Sequence, residues 1–256
     1  MLTVILTKGE KMKELMEAMA KNTPTVLGFV AVIAALFVLG VLLEKAAQKK
    51  RGVREKLFTT RKVAVIGMFS ALSALLMLIE IPWPFAPGFY KLDFSELPIL
   101  IGTFAFGPMA GVMMEFVKIL LKLCFKGTGT AFVGELANFS VGCSFILPAS
   151  GIYAFKKTKK NAILACVCGT LVMTVFGTAF NAVYLLPAFS KMYGMPMEAI
   201  LQMGAEVNPL VKESSILSFV AACVAPLNLI KGACVSLVTL LVYKPLSPII
   251  KAGQQK

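Results

Sequence analysis

Residues 25–43 hold no charged side chain, and a helix of that length is about 28 Å long. That nearly matches the roughly 30 Å hydrocarbon core of a bilayer. Several comparable runs follow it. The whole chain is 58% hydrophobic and 15% charged, with mean hydropathy +0.82, against about 45–50% and 25% in soluble domains. The composition predicts an all-α polytopic membrane protein.

The net charge of +13 would suggest nucleic acid in a soluble chain, but its placement points to topology instead. Eight Lys/Arg fall in 45–62, four in 156–160 and three after Tyr243, together 15 of 26. Basic residues flanking apolar spans mark the cytoplasmic side. No nucleic-acid partner is predicted; the lipid bilayer is. There is no histidine, which removes the usual general base and commonest metal ligand. Neither an ATP-binding P-loop nor a C-x-x-C pair is present.

Residues 1–23 carry Lys8, Lys11, Lys13 and Lys21 with Glu10, Glu14 and Glu17 and read as an amphipathic helix. The basic run 45–62 follows the first span, whereas a signal peptide has its charge in front. The first helix is therefore predicted to be retained. Six core spans are expected at about 63–81, 95–107, 109–125, 131–154, 161–187 and 215–243. Phe106-Gly107-Pro108 marks a tight reversal, and the loop 188–214 includes a helix-like "MEAILQM". Alternation places the C-terminus in the cytoplasm and the N-terminus outside. Residues 1–61 form an N-terminal extension and 62–256 the six-helix membrane domain.

In "LDFSELPILIGTFAFGP", Asp93 and Glu96 have the spacing of a helix capping box. The preceding loop is rich in aromatics, suited either to interfacial anchoring or to covering a cavity. Glu115 and Lys118 are three apart on one helix face and can neutralise each other. Gly134, Asn138 and Gly142 recur every fourth residue, as in close helix packing, with Asn138 either joining helices or meeting a ligand. "GTGTAFVG" reads as a turn. Asn181 and Tyr184 lie near the outer end of the fifth span. Asn228 and Lys231 share a face of the sixth, and no acid in that span neutralises Lys231. An ammonium at membrane depth needs a polar cavity, a partner helix or a ligand. Two amides and an ammonium offer the donors and acceptors that a flat heterocycle would use.

The segments "LDFSELPILIGTFAFGPMAGV", "EFVKILLK", "GELANFSVG", "NAVYLLP" and "PLNLIKG" together resemble the riboflavin-specific S components of energy-coupling factor (ECF) transporters. The resemblance covers roughly residues 60–250. It implies a six-helix membrane subunit, without enzymatic activity or cofactor, that captures riboflavin from outside. Delivery would need a transmembrane coupling subunit (EcfT-like) and two cytoplasmic ATPases. By the same resemblance, Asn181, Asn228 and Lys231 correspond to polar residues around the isoalloxazine ring. Asp93, with Tyr90, Leu92 and Phe94, corresponds to the segment covering the vitamin. Gly67, Ala71 and Ala74 correspond to the contact with the coupling subunit. The alternatives left open are another vitamin, FMN, or a membrane assembly subunit. The extra helix before residue 62 departs from the family pattern.

Overall fold

The computed structural model describes residues 23–251, so the amphipathic helix expected before Thr23 lies outside the described residues. Helix α1 spans Thr23–Arg51, eight residues beyond the apolar run. Ala, Gln, Glu and Lys are good helix formers, and Lys49, Lys50 and Arg51 suit the negative end of the helix dipole. The helix stops at Gly52, which has φ +67°, so much of the expected linker is helical.

Helix α2 (Thr60–Leu78) starts at Thr59, whose hydroxyl accepts from the Lys62 N–H. A two-residue ribbon follows: β1 (Ile81–Pro82) pairs antiparallel with β2 (Lys91–Leu92), a local exception to the all-α expectation. The aromatic loop is thereby a hairpin. Helix α3 (Glu96–Phe106) has 11 residues, ten of them buried. A helix apolar on every side is stable where others surround it. Gly107, at φ +97°, and Pro108 then reverse the chain into α4 (Pro108–Lys126), as the sequence predicted.

Helix α5 covers Val133–Phe155. The next helix, α6, runs Lys159–Tyr193 and contains a π turn at Asn181–Leu185. It continues past the predicted end until Gly194, at φ +64°. Helix α7 (Met197–Val207) contains the helix-like stretch. Ile216–Phe219, a second π turn at Val220–Val224, and Ala225–Lys251 run on as one helix, α8. Most of the segment read as a loop over 188–214 is thus helical.

Among the described residues, five helices are long and apolar enough to cross a membrane: α1, α2, α5, α6 and α8. Helix α3 is too short, and α4 carries Glu115, Lys118, Lys122 and Lys126. Helix α1 packs on α4 and α5, with Phe29 edge-on to Phe139 and Phe37 to Phe116. Near its basic end, buried Glu44 accepts from Lys62 Nζ at 2.9 Å and from the Met109 N–H at 3.1 Å. The first helix thereby satisfies an otherwise orphaned donor in the first turn of α4.

Candidate functional site

The ends of α2, α4, α5, α6 and α8 and the β1–β2 hairpin surround a cavity of about 660 Å³. That lies within the roughly 300–1,000 Å³ of small-molecule sites. Tyr90, Asp93, Asn138, Asn181, Asn228 and Lys231 all line it. The chain brings together residues up to 141 positions apart (from Tyr90 to Lys231). Asn181 opens one π turn and Val224 closes the other. Both sit in the wall, where such turns re-aim side chains.

Lys231 finds its counter-ions outside its own helix. Its Nζ is 3.0 Å from Asp93 Oδ2 and 2.7 Å from Glu96 Oε2. Glu96 Oε1 lies 3.2 Å from Lys118 Nζ, which is 2.6 Å from Glu115 Oε2. Three carboxylates and two ammonium groups thus share one buried network. Unpaired, each charge would cost several kcal/mol at this depth (~ values for buried ions).

This network displaces the predicted capping box. Asp93 Oδ1 accepts from the Ser95 N–H at 2.9 Å, but Glu96 turns inward toward Lys118 and Lys231 instead of back to Asp93. Two buried ammonium groups outweigh a cap worth about 1 kcal/mol. The Glu115–Lys118 pair forms as expected. Gly142, read as a helix-packing glycine, instead makes room for the Glu115 carboxylate.

Asn181 is held at both ends of its amide: its Nδ2 donates to Gly177 O at 2.7 Å, and its Oδ1 accepts from Tyr90 Oη at 2.8 Å, leaving one N–H and one lone pair for a ligand. Burial pushes the Tyr90 phenol well above its usual range, which keeps it a donor. Asn138 Oδ1 is buried without a partner. At the mouth, Glu80 lies between Lys91 at 2.5 Å and Lys126 at 2.7 Å. Burial alone would raise its pKa, but hydrogen bonds and attraction from the two ammonium groups hold it below the usual carboxylate range.

Three expected contacts stand apart from the wall. Leu92 is buried in an apolar cluster with Tyr90, and Phe94 packs beside it. Tyr184 packs against Phe180, with the rings tilted at 40° and centroids 5.1 Å apart. Of the small stripe, Gly67 and Ala71 are exposed but Ala74 is 1% exposed. Ala74 lies at the edge of that exposed face, turned about 60° from Ala71 toward the bundle. The outward face combines Ala64, Gly67, Met68, Ala71 and Leu75.

Phe89, in the aromatic loop read as suited to anchoring or to covering a cavity, lines the wall; sequence reading missed Lys122 there and Glu96 as counter-ion. It also missed the role of the "GTGT" turn. Thr128 and Thr130 donate to Glu135 Oε2 at 3.0 and 3.1 Å, and Lys122 donates to Oε1. Ala131 and Phe132 follow in left-handed backbone conformations. The Gly-Thr alternation marked the turn and gave no sign of the acid it would bind.

The family model for the substrate-specific component of ECF transporters matches residues 61–243. The chain is an ECF S component. This S component is 35% identical over 191 residues to the riboflavin transporter RibU of Staphylococcus aureus (strain TCH60), covering 75% of this chain and 93% of that one. It is 30% identical over 192 residues to the riboflavin transporter FmnP of Bacillus subtilis (strain 168), covering 75% and 94%. A solved S component of a bacterial ECF transporter superposes with a TM-score of 0.57 at 36% identity, covering 74% of this chain and 97% of that one. The fold is therefore that of a multi-pass membrane transport component.

Proposed function

We propose that this S component binds riboflavin at the cavity's outer opening and delivers it inward with a coupling subunit and two ATPases. The observation that carries this reading is the convergence of Asn138, Asn181, Asn228 and Lys231 on one 660 Å³ cavity beside Phe89 and Tyr90. Amide and ammonium groups suit the polar edge of an isoalloxazine, and aromatic side chains suit its flat face. A flavin imide would compete with Tyr90 for Asn181 Oδ1. Asp93 would stay with Lys231 while meeting ribityl hydroxyls. The named relatives support the choice of vitamin.

The basic end of the bundle, with the C-terminus, faces the cytoplasm in this reading, and the cavity end faces outside. Residues 1–61 are an extension of the 62–256 substrate-binding domain. The exposed face through Gly67 and Ala71 meets the coupling subunit. Small residues there permit close helix approach.

The test is an absorbance spectrum of the purified protein, then riboflavin titration by fluorescence quenching. A visible flavin band, released on denaturation as riboflavin, supports the reading. Asn228→Ala should weaken affinity, because a buried polar edge of the ligand would lose its partner. A colourless protein that fails to quench added riboflavin would overturn the choice of vitamin.

A further inference from the structure

Asn208 caps the C-terminal end of α7 and is 5% exposed. Both N–H donors and the carbonyl oxygen of its side chain are used. Nδ2 donates to Phe85 O and to Ala222 O, both at 3.1 Å. Oδ1 accepts from the Leu210 N–H at 3.1 Å. Ala222 belongs to the second π turn, where a shifted ladder changes the pairing of backbone carbonyls. Phe85 belongs to the β1–β2 hairpin, 123 residues earlier. One buried amide therefore ties the hairpin to α7 and α8.

That hairpin presents Phe89, Tyr90 and Lys91 to the cavity. Its own backbone pairing covers two residues on each strand, too little to be stable alone. Two other polar or aromatic holds are contacts that a ligand would meet: Tyr90 on Asn181 and Phe89 edge-on to Phe189, all four in the wall. Ala86, Tyr90 and Leu92 add apolar packing against α7 and α8 but fix no hydrogen bond there. Asn208 lies outside the wall. A ligand in the cavity would therefore not compete for its hold on Phe85.

We propose that Asn208 is a positioning residue for ligand capture, latching the β1–β2 hairpin against α8 so that the cavity wall stays in place. Release of ligand then requires the Phe85 carbonyl to part from the Asn208 amide. Only the choice of ligand rests on the riboflavin reading. Asn208→Asp keeps the acceptor for Leu210 and removes the donor, and Asn208→Ala serves as a second variant should the first not fold.

Two readouts test the latch in the full-length protein. Hydrogen exchange of the ligand-free hairpin amides, Trp83 and Tyr90 among them, should accelerate while α4 keeps wild-type protection. Riboflavin release, followed by fluorescence recovery, should speed up about tenfold, the scale of one or two lost hydrogen bonds, and association should quicken with it, because the same latch holds the empty hairpin. Unchanged hairpin exchange and unchanged release would overturn the latch. So would exchange accelerated throughout the bundle, which would make Asn208 a general fold residue. If wild type binds no riboflavin, the ligand assignment fails, and the hairpin exchange comparison still decides the latch.

Discussion

The Glu115 carboxylate lies against the Cα of Gly142: a Cβ at Gly142 would stand 2.7 Å from Oε1 and 2.8 Å from Oε2. Helices α4 and α5 approach here around a charged group. Gly142→Ala should therefore destabilise the protein by about 1–3 kcal/mol, as overpacking does. Thermal denaturation of Gly142→Ala, Glu115→Ala and the double variant checks this. The two changes should be non-additive, because they share one space; additive losses would contradict the contact.

Lys231 and Asn228 should respond differently to truncation. Removing the Lys231 ammonium leaves Asp93 and Glu96 buried with one fewer counter-ion. Breaking such a network costs about 3–5 kcal/mol. Lys231→Ala should lose thermal stability as well as ligand affinity. Asn228→Ala should lose affinity while keeping a near-wild-type melting temperature. Melting curves beside riboflavin titrations separate the two effects, and equal melting temperatures would argue against the buried network.

Ala71 is exposed on the outward face of α2. Ala71→Leu should therefore leave riboflavin binding to the isolated subunit unchanged. Uptake by cells carrying the whole transporter should fall several-fold if the coupling subunit packs there. Normal uptake would remove this face from the transport mechanism.

Glu80 gives the cavity mouth a pH dependence. Pairing with Lys126 and Lys91 outweighs its partial burial and lowers its pKa below the ordinary 4.5. A carboxylate lowered in the folded state contributes stability that is present above the unfolded pKa and lost as pH falls through the folded value. Glu80→Gln should thus melt slightly below wild type at pH 6. The difference should shrink below about pH 4.5; a gap that widens on acidification would contradict the pairing.

The apolar runs made the spans legible, and Phe106-Gly107-Pro108 made the reversal between α3 and α4 legible, because both signals are local. The amides of Asn181 and Asn228 and the ammonium of Lys231 stood out as polar groups at membrane depth. The partners of Lys231 did not stand out. Asp93 is 138 residues away, and its spacing to Glu96 also fits a cap. The π turns left no periodic trace, since each inserts a single residue into an otherwise regular helix. Periodicity put Ala74 near the azimuth of Gly67 but carried no information about where around α2 the neighbours begin.

Glu44 gives the order of synthesis a structural meaning. Its carboxylate emerges before Lys62, 18 residues later, and well before Met109, 65 residues later. At about 5–20 residues per second, the first helix therefore waits seconds for its partners. During that interval the Glu44 carboxylate is without both of the partners it meets in the fold. The arrival of Lys62 and then of the α3–α4 reversal closes that gap in sequence. The helix that completes the N-terminal turn of α4 is thus synthesised before the turn itself.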